Sequence, residues 1–90
     1  MYKARNGIVK TKICNTYVLI PSRTAYPECQ SMKTLSYFWA ATWDAIVADK
    51  PMDKIVRGHA IITGKSEDEC INQISSFCDE LVKEGFLIDL

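Results

Sequence analysis

The spacing of apolar residues changes near Ser36, and this change constrains the fold more than any other feature of the chain. Residues 1–35 lack helical periodicity and carry short runs of β-branched and aromatic residues between turn residues, a pattern that predicts strands. From Ser36 onward, apolar residues recur at intervals of three and four, which predicts amphipathic helices. Strands that precede helices without alternating with them indicate an α+β fold and not a parallel sheet.

The first third of the chain predicts a three-stranded antiparallel sheet. Its strands cover residues 8–13, 17–20 and 31–35, separated by a turn at an asparagine and by a loop with a proline near each end. On the first strand we expect Lys10 and Lys12 to alternate outward, since successive side chains of a strand point to opposite faces.

Three helices follow the sheet. The first ends before Pro51, because a residue that precedes proline disfavours helical geometry, and the second ends at Gly64 as its C-terminal cap. The third begins with a capping box at Ser66 and ends at Gly85. Residues 86–88 form a short extended tail.

Length and composition predict one small soluble domain that spans residues 1–90. A chain of 90 residues and 10.2 kDa has room for a single modest core, and 48% hydrophobic with 24% charged residues is ordinary for a globular protein. The sequence contains no apolar run long enough to cross a bilayer and no signal peptide. We therefore expect a cytoplasmic protein without a membrane segment.

The sequence contains no sign of an active site, a metal site or a cofactor. Cys14, Cys29, Cys70 and Cys78 lack paired spacing, so we expect reduced thiols that bind no metal. The chain has none of the common phosphate-binding, acyl-transfer or zinc-protease motifs. His59 lies on an apolar helix face, which favours a structural histidine over a general base.

Two tryptophans lie one turn apart on the first predicted helix. Trp39 and Trp43 could form a stacking platform for bases or sugars. Their helical spacing beside Phe38 favours the alternative, in which both pack into the core against the sheet.

Charge is unevenly distributed although the formal net charge is zero. Residues 1–35 contain six basic residues and one acidic residue, a net charge of +5. Residues 66–84 contain six acidic residues and one basic residue, a net charge of −5. The third helix is thus acidic, whereas the sheet region is basic.

The order of these elements resembles a known family. Residues 35–46, Leu-Ser-Tyr-Phe-Trp-Ala-Ala-Thr-Trp-Asp-Ala-Ile, resemble the start of the first helix in the PqqD-like family, also called the RiPP recognition element. Residues 77–87 resemble its closing signature of a phenylalanine helix, leucine, glycine and two apolar residues, and residues 17–21 resemble stand-alone members. The chain departs from the family at Ser36, where asparagine is usual, and lacks the glycine expected after the first helix.

The resemblance implies a small winged-helix-like domain that binds peptides and is not an enzyme. Members of this family hold the leader segment of a ribosomally made precursor peptide. They present it to a modifying enzyme, such as a radical SAM enzyme or a lasso-type protease and cyclase. The leader adds as a strand to the third strand of the sheet and lies against the third helix, a mode known as β-augmentation.

Carried onto this sequence, the resemblance predicts a peptide groove between the third strand and the third helix. The third helix carries two apolar rows, which are Cys70, Ile74, Phe77 and Leu81 on the first and Ile71, Cys78 and Val82 on the second, with Ser75 between them. The first row resembles the family's core positions, so we assign the second to the groove, with the alternative that it only widens the core. We expect Lys33 and Asp79 to line opposite walls. The predicted peptide-binding residues are Ser31, Met32, Lys33, Thr34 and Leu35 from the strand and Ile71, Ser75, Cys78, Asp79 and Val82 from the helix.

Two other classes of function remain as alternatives. A winged-helix DNA-binding protein has similar elements, but its recognition helix would be the acidic third helix, which phosphates repel. A generic adaptor that binds a partner protein is the second alternative. An exposed edge strand and the loop at residues 21–29 also allow a homodimer through strand exchange.

Overall fold

The computed structural model describes residues 2–90, which form five strands and three helices with the α+β organisation predicted from the sequence. The elements are β1 (Tyr2–Ala4), β2 (Ile8–Ile13), β3 (Thr16–Pro21), β4 (Lys33–Leu35), α1 (Tyr37–Val47), α2 (Met52–Thr63), α3 (Glu67–Glu84) and β5 (Leu87–Asp89). Strands β2, β3 and β4 form an antiparallel sheet in that order, here called the main sheet, and β1 pairs with β5.

Strand β4 is an edge strand of the main sheet and directly precedes α1 in the chain. It is shorter than predicted. Its three residues pair with Tyr17, Val18 and Leu19 of β3. Ser31 and Met32, which we expected in this strand, precede it and are exposed. The loop before them turns back on itself through a hydrogen bond from the Cys29 amide to the Ala25 carbonyl, so regular pairing begins only at Lys33.

The core lies between one face of the main sheet and the helices. The first apolar row of α3 is buried as predicted, and α1 contributes Trp43 and Ile46. Burial of these side chains supplies most of the driving force for folding. The largest fully buried side chains are those of Leu19, Cys29, Cys70, Ile74, Cys78, Leu81, Phe86 and Leu87.

The two faces of β2 are the reverse of the predicted arrangement. Lys10 is in register with Leu19, so both side chains lie on the helix-facing side of the sheet, where Lys10 Nζ meets Asp44 Oδ2 of α1 at 2.6 Å. Val9 and Ile13 lie on the opposite face and are about half exposed. The prediction that Lys10 alternates outward is therefore wrong, because the acidic residue on α1 pairs with a lysine on the inner face.

The N-terminal strand was not predicted from the sequence. Tyr2 pairs with Asp89 and Ala4 with Leu87, so the predicted tail is the second strand of a small antiparallel pair. Arg5 fixes this pair to the end of α3, since its Nε donates to the Gly85 carbonyl at 2.7 Å. Three-residue strands show too little alternation to be recognised without their partner.

The predicted ends of α2 and α3 are confirmed. Gly64 and Gly85 have positive φ angles of 72° and 92° and end their helices. At the start of α3, the Ser66 hydroxyl accepts a hydrogen bond from the Glu69 amide at 3.2 Å. These local signals fix where the two helices begin and end.

Helix α1 ends with an aspartate in the position that a glycine usually takes. Asp49 has a φ of 58°, its amide donates to the Ile46 carbonyl, and the Lys50 amide donates to the Ala45 carbonyl. This pair of bonds is the Schellman motif, whose left-handed residue is most often glycine. Asp49 thus takes the place of the glycine that the family has after its first helix, with some backbone strain from its positive φ angle.

We expect Asp49→Gly to stabilise the protein by about 0.5–1 kcal/mol. Glycine removes the cost of the left-handed conformation, and the loss of the aspartate takes a negative charge away from the negative end of the α1 dipole. Urea unfolding at neutral pH measures the change. Asp49→Ala removes the charge and keeps the conformational cost of a Cβ in the left-handed region, so equal stabilisation by both variants would contradict the conformational explanation.

Candidate functional site

A groove of about 780 Å³ separates the edge strand β4 from helix α3. Strand β4 forms one wall, α3 forms the other, and residues of α1 and α2 form the floor between them. Its lining residues are Lys33, Thr34, Leu35, Ser36, Phe38, Trp39, His59, Thr63, Lys65, Asn72, Gln73, Ser76, Phe77 and Glu80. Three of the five predicted strand residues, Lys33, Thr34 and Leu35, are among them.

The backbone of Thr34 points away from the main sheet toward the open edge. The Ser22 amide donates to the Gly7 carbonyl at 2.8 Å, and this pair continues the β2–β3 register. Hydrogen-bonded pairs alternate along an antiparallel ladder, so Val18 directs its backbone groups toward β2. Thr34 lies opposite Val18. Its N–H and C=O therefore face outward and can pair with an added strand.

The floor of the groove is aromatic. The Trp39 ring stacks on Phe77 with centroids 4.4 Å apart and lies 4.5 Å from the His59 ring. Trp43 is buried in the core as predicted, whereas Trp39 is only partly buried and borders the groove. The prediction that both tryptophans pack into the core therefore holds fully for Trp43 alone.

His59 is buried between α1 and α2 at the bottom of the groove. Its Nδ1 lies 2.7 Å from Thr42 Oγ1, and that hydroxyl also lies 3.1 Å from the Phe38 carbonyl. Burial lowers the pKa of His59 below its ordinary value of 6.5, and the positive charge of Lys65 lowers it further. The imidazole is therefore neutral at physiological pH.

We expect stability to fall as the pH drops below about 6.5, and His59 to cause this fall. Because its pKa is lower in the folded state, the unfolded chain binds more protons in the interval between the two pKa values. The stabilisation is complete above the unfolded pKa and is lost as the pH falls toward the folded one. His59 is the single histidine of the chain, so urea unfolding of His59→Gln across this interval provides the control. An unchanged slope in that variant would contradict the assignment.

A cluster of charges connects the two walls at one end of the groove. Lys33 Nζ lies 3.3 Å from Glu80 Oε1 and 3.1 Å from Glu84 Oε1, so it joins β4 to α3. Partial burial lowers the pKa of Lys33, but hydrogen bonds to Glu84 and Glu80 outweigh this effect and raise it overall. The expectation that Lys33 faces Asp79 is wrong, because Asp79 accepts a hydrogen bond from the Tyr2 hydroxyl at 3.3 Å.

The second apolar row of α3 lies outside the groove. Cys78 is fully buried, which raises the pKa of its thiol to about 11, and Val82 packs against the core. Ile71 and Ser75 are exposed on the same flank, and Asp79 contacts β1. The prediction that this row lines the groove is wrong in position, because the neighbouring side chains Asn72, Gln73, Ser76 and Glu80 are the ones that α3 directs toward β4.

Sequence reasoning missed the residues that α1, α2 and α3 contribute to the groove. On α3 these are Asn72, Gln73, Ser76 and Glu80, whose helical spacing was visible but typical of a solvated face. Phe77 was assigned to the core, which it also contacts. No signal in the sequence indicated that His59 borders a groove.

Neither a membrane segment nor a metal cluster is found within residues 2–90. No helix in this range is long and apolar enough to cross a membrane. The four cysteines are free thiols, and in the same part of the chain no three His, Cys, Asp or Glu side chains gather as a metal site would require. Comparison of the chain with protein-family models, curated proteins and solved structures gives no match.

Proposed function

We propose that this protein binds an extended peptide in the groove between β4 and α3, and that it does so by adding the peptide as a strand to β4. The observation that carries the proposal is the outward-facing backbone of Thr34 at the edge of a groove with an aromatic floor. Unpaired edge groups are a hazard that proteins normally cover, so an edge next to a groove favours use by a partner.

The groove suits a strand in shape. A peptide residue paired with Thr34 would place its own side chain beside that of Thr34 on the outer face of the sheet. Its two neighbours in the peptide would point to the inner face, one next to Leu35 and one next to Lys33. The volume of about 780 Å³ falls within the range of concave ligand-binding sites in proteins.

The two inner positions differ in chemistry. Near Leu35 the groove is aromatic, with Trp39 and Phe77 in stacked contact, and accommodates a large apolar side chain. Near Lys33 two carboxylates, Glu80 and Glu84, favour a polar side chain. Main-chain hydrogen bonds would supply affinity, and these two positions would supply specificity.

In this proposal the protein is a carrier and not an enzyme. The peptide is the leader of a ribosomally made precursor, as the resemblance to the PqqD-like family implies. Its partner is a modifying enzyme, either a radical SAM enzyme or a protease and cyclase pair. The complex works in the cytoplasm, where precursor peptides are made and thiols stay reduced.

Charge argues against the alternative of DNA binding. The first turn of α3 carries Glu67, Asp68 and Glu69, and Glu80 and Glu84 follow near the other end of the helix. A recognition helix with this charge would be repelled by phosphates, whereas DNA-binding proteins bring basic residues to the duplex. On β2, Lys10 is already paired with Asp44.

Selection from a display library of random short peptides tests the proposal. Selected peptides are labelled and titrated with the protein at physiological salt, with a labelled duplex DNA as control, and fluorescence anisotropy is measured. We expect saturable binding of peptides and no response from DNA. Failure to select any peptide, or saturable binding of DNA alone, would contradict the proposal.

A further inference from the structure

The hydrogen bonds around His59 define its tautomer. Thr42 Oγ1 has one proton and lies close to two groups, the Phe38 carbonyl at 3.1 Å and His59 Nδ1 at 2.7 Å. The carbonyl can only accept, so the hydroxyl proton belongs to this bond. Nδ1 then donates its own proton to Thr42 Oγ1. If the hydroxyl instead donated to Nδ1, lone pairs of Thr42 Oγ1 and of the Phe38 carbonyl oxygen would face each other at 3.1 Å. The other ring nitrogen, Nε2, is therefore an acceptor without a proton.

This acceptor reaches solvent at the floor of the groove. Within residues 2–90, every buried side-chain nitrogen and oxygen has a hydrogen-bond partner. Among these residues the ring of His59 has its hydrogen-bond partner at Nδ1 and none at Nε2. Because Nε2 has no partner, it is not among the buried atoms and keeps contact with water. His59 is otherwise buried and borders the groove, so this contact opens there. Nε2 is an acceptor atom set among aromatic rings.

A strand that covers the groove would remove this water from Nε2. A buried acceptor without a donor costs about as much as a lost hydrogen bond, so a bound side chain must supply a donor or lose affinity. The donor must be carried by a group that also fits against Trp39 and Phe77, which favours an aromatic ring. Lys65 lines the same groove, and its positive charge acts on His59, so a neutral donor is favoured over a cationic one at this position.

From this geometry we infer that the groove selects a peptide side chain that combines an aromatic ring with a neutral donor, tyrosine or tryptophan, through a hydrogen bond to His59 Nε2. The inference rests on the proposed function and specifies which side chain binds at the inner position beside Leu35, where the groove is aromatic. His59 is then a specificity-determining residue, held in the required tautomer by Thr42.

A cycle of matched peptides and protein variants tests the inference. In peptides obtained by the selection described above, the tyrosine or tryptophan expected at the inner position is replaced by phenylalanine, and both members of the pair are titrated by fluorescence anisotropy. We expect the replacement to weaken binding about tenfold to the wild-type protein. His59→Leu should bind both members equally, and His59→Gln, which retains an acceptor, should restore part of the preference.

Nuclear magnetic resonance of the nitrogen-15-labelled wild-type protein gives a measurement that depends on no variant. The single histidine should give the Nδ1–H tautomer in the free protein. Its Nε2 resonance should respond differently to the two peptides, because the tyrosine or tryptophan peptide replaces the water donor, whereas the phenylalanine peptide removes water and supplies no donor. Peptides that bind without any preference for a donor, or an Nε2–H tautomer, would overturn this inference and leave the proposed function intact. If no peptide is selected, the proposed function fails and this inference fails with it.

Discussion

Replacement of Gly85 by alanine is expected to cost about 3 kcal/mol or more, a large fraction of the roughly 5–15 kcal/mol typical of small domains. Gly85 has a φ of 92°, which disfavours any residue with a Cβ. A Cβ there would also overlap the Glu28 carbonyl oxygen and crowd the backbone of Cys29, which cannot move without displacing its fully buried side chain. Urea unfolding followed by circular dichroism measures the loss.

Two other glycines separate the contributions of conformation and contact. Gly64 has a φ of 72°, but a methyl group at its Cα would have no other atom within 4 Å, so Gly64→Ala should cost only about 1 kcal/mol. Gly58 lies inside α2 with open space around it, and Gly58→Ala should stabilise by about 1 kcal/mol. If Gly85→Ala behaves like Gly64→Ala, the close packing of the 21–29 loop on the end of α3 is not important for stability.

Replacement of Thr34 by proline is expected to reduce peptide affinity more than about tenfold while the domain stays folded. Proline removes the outward N–H that an added strand would bond, and its ring occupies the space of that hydrogen. The ladder to β3 uses the backbone of Lys33 and Leu35 and stays intact. Proline at an outward-facing position of an edge strand is the place where sheets tolerate it. Anisotropy titration with a selected peptide measures the loss.

Thr34→Val is the matched control, because it changes the same side chain and keeps the N–H. It should bind the selected peptide within about twofold of the wild-type protein, since a β-branched residue fits the strand equally well. Circular dichroism of both variants establishes that the fold is retained. Unchanged affinity in a folded Thr34→Pro variant would show that the peptide does not add to β4.

The order of the three main-sheet strands and the three helices could be predicted from the sequence because each of these elements has its own local signal, which the short strand β1 lacks. Ser66 accepts the hydrogen bond that its capping motif predicts, and Gly64 and Gly85 end their helices. These interactions lie within a few residues of each other along the chain. The place of the groove, between the last strand of the main sheet and the third helix, was also expected from the resemblance to a peptide-binding family.

The helical side of the groove could not be predicted correctly. Ile71, Cys78 and Val82 form a row as apolar as the buried one, so hydrophobicity alone could not tell which flank of α3 faces β4. The rotation of the helix is decided by contacts with distant residues. Tyr2 bonds to Asp79 on one flank, and Lys33 bonds to α3 on the other.

Local signals in the chain were enough to predict the α+β class, the limits of the helices and the strand that forms one wall of the groove, because periodicity and caps act over short distances. The outward direction of the Thr34 backbone and the position of His59 beside the groove follow from tertiary contacts instead. Both depend on register and helix rotation, which are set by pairings between residues far apart in the chain. If β4 were shifted by one residue along β3, the Thr34 backbone would point toward β3, although the local sequence would be unchanged.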